Sequence, residues 1–345
     1  MRGCDDPLDF AMVKKFSSKS ILRKLFSGLC SQYFGLAVLF CAALAIAFPQ
    51  RFISWRGIKL ATLVVPAIQL IMFGMGTTLS FADFQRVAKR PWAVAIGILL
   101  QFTVMPIVGF TLAKTFGLSG DLAAGFVLVG SVAGGTASNV IAFLAGADVA
   151  LSVTMTCCST LLSPLATPIA MKLLAGCFIE IDILKMMLEI LKVVIFPVAA
   201  GALAHRIFLP QFTRHKAICD KILSVISMAG ICFTILAITA LGRDKLISAG
   251  LLIIIAAITH NILGYLGGYW ITRLSSPITK LNEIEARTIA IEVGMQNSGL
   301  ASALALGLFG SAITALPANI FSIWMNFSGS VLASIWRAKA RPPAR

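Results

Sequence analysis

Stretches of about 20 apolar residues, the length a helix needs to cross ~30 Å of hydrocarbon, recur along the whole of this 345-residue chain. Ten fall at roughly 30–48, 58–79, 91–115, 121–145, 149–175, 183–204, 219–241, 247–271, 284–308 and 313–336. No ten-residue alternation suggests a barrel. With 58% hydrophobic and 12% charged residues, the composition also excludes a soluble globular domain. The sequence therefore predicts an all-α polytopic membrane protein.

A net charge of +15 raises the question of a nucleic-acid partner, and the placement of the charges answers it. With ten spans and a cytoplasmic N-terminus, twenty Lys and Arg fall on the cytoplasmic side and eight on the other, with Lys192 inside a span. That asymmetry is the positive-inside pattern and puts both termini in the cytoplasm. The basic excess is topological, so no nucleic acid is expected. Residues 1–29 read as a cytoplasmic N-terminal segment and 337–345 as a cytoplasmic basic tail. The basic stretch from Lys14 to Lys24 followed by an apolar run resembles a cleavable signal peptide. Its leader is long for one, and retaining the span keeps the even count. A bacterial inner membrane is the expected location.

The eight cysteines show no metal-type spacing, and most lie within spans, where they act as small apolar residues. His205, His215 and His260 are scattered, and neither a G-x-S-x-G elbow nor a P-loop is present.

Ten spans divide into two sets of five, 30–175 and 183–336. An offset of 158 brings Asn139, in GGTASNV, onto Asn297, in VGMQNSG, and Gln101 onto Thr259. The fourth span of each half thus carries a glycine-containing polar break. Because five is odd, the second half enters from the other face, making the repeats inverted. Paired, interrupted, polar segments in two inverted halves are the sequence signature of a transporter's binding site.

Glu292 is the one acidic residue placed near the middle of a span, where insertion of a charge costs about 2.5 to 3.5 kcal/mol. It needs a cation or a proton. Lys192 lies one turn from Glu189, its more natural partner. The neighbours of Glu292 in sequence are oxygens: the amides of Gln296 and Asn297, and carbonyls freed where Val293, Gly294 and Met295 leave helical geometry. Hard cations take oxygen ligands, which favours sodium over a transition metal. In the fifth span Ser152, Thr156, Ser159 and Ser163 share one helix face. For Ser159 and Ser163 a packing bond to a nearby carbonyl is the simpler account. Gln101 alone in the third span reads first as a packing amide.

GGTASNV (134–140), DVALSVTMT (148–156), STLLSPLATP (159–168) and EVGMQNSGLA (292–301) resemble the signatures of the bile acid:sodium symporter family, and GMGTTLSFADF (74–84) resembles its second-span exit. The likeness covers residues 30–337. It implies ten helices in two inverted five-helix repeats. A panel domain of the first, second, sixth and seventh spans would face a core in which helices 4 and 9 unwind and cross. It also implies sodium-driven uptake of an organic anion. One implied sodium site comprises Ser138, Asn139, Ser152, Thr156 and Glu292; the second comprises Gln101, Glu292 and Gln296 with the carbonyls of Val293 and Met295. Thr136 and Asn297 would meet the anion. Met325 stands where many relatives carry His, which weighs against sterol-like cargo and leaves small carboxylates such as pantoate or pyruvate alongside bile-acid-like anions. The alternatives are a proton-coupled carrier using Glu292 and, further off, an intramembrane enzyme, which lacks a base beside any candidate nucleophile.

Overall fold

The computed structural model describes residues 37–78, 90–208 and 216–339. The N-terminal segment, the basic loops at 79–89 and 209–215, and most of the basic tail lie outside the described residues, as does the second half of the 74–84 motif.

In chain order the helices are α1 (Ala37–Ala47), α2 (Pro49–Ile53), α3 (Val64–Thr78), α4 (Pro91–Thr115), α5 (Gly120–Ser131), α6 (Ala137–Ala145) and α7 (Val149–Ala170). They continue with α8 (Ile183–Ile190), α9 (Phe196–Ile207), α10 (Lys216–Leu241), α11 (Arg243–Thr279), α12 (Glu283–Gly294), α13 (Ser298–Phe309) and α14 (Ala312–Lys339). Among the described residues five helical segments are long and apolar enough to cross a membrane: Leu60–Thr78, Pro91–Thr115, Val149–Ala175, Ile183–Ile207 and Gly250–Thr279. A helix satisfies its backbone groups within its own segment, as hydrocarbon requires. One small departure from all-α is a hairpin of Ser54–Trp55 and Ile58–Lys59. Its turn, Arg56 and Gly57, has positive φ at both residues, the geometry that matches strand twist.

The two spans expected to carry a polar break are each interrupted. Residues 132–136 separate α5 from α6, and residues 295–297 separate α12 from α13. Elsewhere proline marks the irregularities. A π-turn at Met171–Ala175 follows Pro168, and another at Leu191–Ile195 precedes Pro197; in both places a missing N–H loosens the ladder.

The helices pack in two groups. The first contains α3, α9 and α10, with α2 against α10; glycine lets α3 and α9 meet backbone to backbone, since a Cβ at Gly76 would strike the Val198 carbonyl and one at Gly201 the Phe73 carbonyl. The second contains α4, α5, α11, α12 and α14, with α6 against α7 and α14. There Gly268 lets α11 approach the Ala290 backbone of α12. α13 packs mainly on α14 of the second group and also touches α3 of the first, and α8.

Candidate functional site

The two breaks cross and are pinned together by backbone. Gly134 and Gln296 form an isolated antiparallel bridge; Gly135 N–H donates to the Met295 carbonyl at 2.9 Å and Asn297 N–H to the Ala133 carbonyl at 3.0 Å. Polar backbone that has left its helix is thereby satisfied away from water. Glycine is required here: a Cβ on Gly134 would lie 2.6 Å from Glu292 Oε1, and one on Gly135 would lie 2.6 Å from the Gln296 carbonyl oxygen.

An amide from the preceding helix holds each half-helix end. From α4, Gln101 Nε2 donates to the Val132 carbonyl at 2.9 Å; from α11, Asn261 Nδ2 donates to the Gly294 carbonyl at 2.7 Å. Thr167 adds a bond from its hydroxyl to the Ser131 carbonyl at 2.7 Å. The role of Asn261 escaped the sequence reading. The signal was faint: a lone amide beside His260, two residues beyond the position paired with Gln101. Ser328 Oγ donates to Asn261 Oδ1 at 2.7 Å and fixes the amide's orientation.

Glu292, in the last turn of α12, is 1% exposed. Its Oε2 accepts from Ser138 Oγ at 2.6 Å and Ser152 Oγ at 2.8 Å, and its Oε1 accepts from the Thr156 hydroxyl. Asn139 Oδ1 accepts from Ser152 Oγ at 2.8 Å and from Thr156 Oγ1 at 3.5 Å. Ser138 Oγ also lies 2.7 Å from the Gly135 carbonyl, and Thr156 Oγ1 lies 3.1 Å from that of Ser152. Three hydroxyl protons therefore serve three side-chain acceptors, the two carboxylate oxygens and Asn139 Oδ1, with two backbone carbonyls beside them, of which that of Gly135 also accepts Ser138 N–H at 3.0 Å. The cluster has more oxygen lone pairs than protons to fill them, and among the described residues no Lys, Arg or His pairs with the carboxylate. Asp148 and Glu189 are engaged elsewhere, Asp148 capping α7 through Leu151 N–H at 3.0 Å and Glu189 lying 3.6 Å from Lys192.

The structure separates the oxygens that neighbour Glu292 in sequence. Gln296 Oε1 accepts from Gln101 Nε2 at 2.6 Å, and Gln296 Nε2 donates to the Val293 carbonyl at 2.7 Å. Val293 and Gly294 remain helical, and the chain leaves α12 only at Met295. The Val293 carbonyl, at a helix end where no later backbone N–H bonds it, is taken instead by the Gln296 amide. The Met295 carbonyl is taken by the crossing. Gln101 Oε1 is buried with no hydrogen-bond partner. Likewise Ser138 and Asn139 lie in the first turn of α6 rather than in the break itself. Ser159 Oγ accepts from Gly134 N–H at 3.3 Å, and Ser163 bonds only the Thr160 carbonyl, 2.7 Å away. His260 bonds the Met105 carbonyl between the rings of Phe126 and Phe321.

Beside the crossing, a cleft opens between α3 and α10 on one side and the breaks with α14 on the other. Thr136 and Asn297 both line it, each at the start of a half-helix. The Asn297 side chain caps α13 through Leu300 N–H at 3.0 Å, whereas the Thr136 side chain makes no cap bond. Met325 is on the wall, together with Asn319, Ser322 and Asn326, three further polar residues of α14 that the sequence reading passed over. They recur at helical spacing in an apolar helix, which was the available signal. The cavity volume is about 50 Å³.

Crossed, broken helices with an oxygen cage at their meeting point, set among long apolar helices, define an integral membrane transporter rather than an enzyme. Residues 65–249 match the Sodium Bile acid symporter family, and the chain belongs to that family of sodium-dependent transporters. It is 40% identical to the uncharacterized sodium-dependent transporter YocS of Bacillus subtilis (strain 168), over 93% of this chain and 95% of that one. It is 36% identical to the probable chloroplastic sodium/metabolite cotransporter BASS2 of Oryza sativa subsp. japonica, over 86% of this chain and 68% of the relative. For the probable chloroplastic sodium/metabolite cotransporter BASS1 of Arabidopsis thaliana the identity is 37%, over 80% and 67%.

Proposed function

We infer that this chain is a symporter importing a small organic anion together with sodium, by alternating access, across a bacterial inner membrane with both termini in the cytoplasm. The observation that carries the reading is the oxygen surplus around Glu292. A buried carboxylate with no cationic partner calls for positive charge, and a cage built wholly of hydroxyl, amide, carboxylate and carbonyl oxygens suits a hard cation. The first sodium would sit among Ser138, Asn139, Ser152, Thr156 and Glu292. A second would draw on Gln101, Gln296, Glu292 and the carbonyls of Val293 and Met295; the unpartnered Gln101 Oε1 supports it.

Ten spans in two inverted repeats, 30–175 and 183–336, are supported by the symmetry of the crossing. The bond from residue 135 to residue 295 and the bond from residue 297 to residue 133 exchange under a shift of 162, which also pairs Gly134 with Gln296. That shift is one helical turn from the 158 that aligns Asn139 with Asn297, because backbone pairing falls at the glycines while the polar side chains sit a turn later. The first packing group corresponds to the panel of the first, second, sixth and seventh spans, and the second group corresponds to the core.

The anion would meet Thr136 and Asn297, where the N-termini of α6 and α13 offer free N–H groups and the positive end of two helix dipoles. Cation binding would order both breaks and thereby assemble that site, a differential affinity of the kind coupling requires. The relatives' names speak of sodium and metabolites, and the amide-rich α14 wall suits a small hydrogen-bonding carboxylate. The test is uptake of candidate carboxylates by proteoliposomes under an imposed sodium gradient or an imposed proton gradient. Accumulation driven by sodium is expected; accumulation that ignores sodium and follows protons would establish the proton-coupled alternative instead.

A further inference from the structure

A second cavity, about 360 Å³, lies away from the crossing, between α1 and α10 on one side and α11 and α14 on the other. Its walls are Ala42, Ile46, Thr239 and Ile320, with Leu246, Ile247, Gly250, Leu251 and Ile254 from α11. The α11 residues form one continuous stripe, each three or four positions from another on the same face. Ile247 and Leu251 are among the most exposed apolar side chains of the described residues, and a Cβ at Gly250 would meet only Leu246, whose Cδ1 would lie at an ordinary contact distance of 3.5 Å.

One turn before Leu246, at the head of the same stripe, stands Arg243. Its Nε donates to the Ile46 carbonyl at 2.8 Å, which places the guanidinium across the end of the groove between the two walls. Its one ion pair is with Asp244, at 3.4 Å, and that side chain is 97% exposed, so the pair is weak and screened. Lys245 adds a second exposed cation. On the ten-span reading the turn joining α10 to α11 falls at the membrane surface, which would put this guanidinium at headgroup depth with its apolar groove running into the hydrocarbon.

We propose that this groove is a site for one anionic phospholipid, its acyl chain along the α11 stripe and its phosphate on Arg243. Arg presents a planar fork of donors that matches phosphate bidentately, and an apolar channel leading from a cation at the interface complements a lipid more completely than it does any soluble anion. The groove's walls belong to the two different packing groups, so an occupant there would bind the two arrangements of those groups unequally and bias their equilibrium.

The test reads binding alone and needs no transport. Native mass spectrometry of the purified full chain, titrated with phosphatidylglycerol or phosphatidylcholine of the same chain length, is expected to show one phosphatidylglycerol adduct favoured at least tenfold. R243Q should erase that preference. G250F, which leaves Arg243 untouched and fills the groove, should weaken the adduct to a similar degree, and size-exclusion profiles matching the parent verify that both variants fold. Equal binding of the two lipids, a preference that survives both substitutions, or displacement of the lipid by millimolar inorganic phosphate would overturn the proposal.

Discussion

At the scale of single residues, the crossing turns on a carboxylate whose partners all donate hydroxyl protons. Replacing Glu292 by Gln keeps the shape and removes the charge, while its Nε2 brings two extra protons into a cluster that is short of them. The unliganded protein should therefore fold at least as well as the parent. Sodium-dependent thermal stabilisation and sodium-driven uptake should both disappear, because the neutral amide no longer offers a cation a formal counter-charge. Measured side by side, a variant that kept its sodium-dependent shift in melting temperature would remove Glu292 from the ion's coordination. Much of this residue-level picture was legible: the polar residues of 134–140, 152–156 and 292–297 announce themselves by standing in apolar context. What the sequence hid was which oxygen meets which. Gln296 is four residues from Glu292, yet its amide turns to Gln101 and the Val293 carbonyl, while Glu292 is served from α6 and α7, more than 130 positions earlier. Local spacing carries no information about a partner delivered by tertiary packing.

At the scale of elements, the broken helices persist because each cut end has an amide waiting for it. Asn261→Leu keeps the volume of a packed α11 but leaves the Gly294 carbonyl buried and unbonded, a loss of about 1–3 kcal/mol. The expected result is a lower melting temperature with sodium dependence retained, since Asn261 bonds the end of α12 and not the hydroxyl cluster. Gln101→Leu removes the equivalent bond at Val132 but also the orphaned Oε1, and should cost sodium response as well as stability. If both variants lost sodium response equally, the amides would be parts of a single ion site rather than end-holders with separate duties. The contrast also shows where elements were and were not readable. Breaks at 134–140 and 292–299 follow from glycine and amide in an apolar run. The ends themselves were misplaced by a few residues, α12 running on to Gly294 and the first break starting at Val132, because the stopping point is set by where two backbones can touch at Gly134 and Gly135. The hairpin at Ser54–Lys59 was equally out of reach, its signal being one Arg-Gly pair.

At the scale of the whole molecule, the cleft beside Thr136 and Asn297 is small as it stands. About 50 Å³, against the roughly 10–15 Å³ that one water needs, holds a few waters and falls short of a bile-acid-sized anion. Admitting a bulky carboxylate therefore requires the two packing groups to part. They meet at small contacts, where a Cβ on Gly299 would lie 2.9 Å from Ile68 Cδ1 and Asn297 Nδ2 rests 4.0 Å from Met72 Sδ, and through Asn319 of α14, whose Nδ2 donates to Thr239 Oγ1 of α10 at 2.7 Å. Parting them breaks few bonds, in contrast to the glycine-mediated backbone contact of α3 with α9 or the satisfied amide bonds within the crossing. Motion should thus be concentrated between the groups and absent inside each. Placing cysteines at positions 68 and 299 in a chain whose native cysteines have been replaced ties α3 to α13 directly across that seam. Oxidation should abolish uptake and reduction should restore it, while sodium-dependent stabilisation survives the cross-link, because the ion cluster lies wholly within one group. Uptake at an undiminished rate with the cross-link fully formed would mean that the cargo passes without relative movement of the groups, and the division of labour between a rigid ion-binding half and a sliding wall would fall with it.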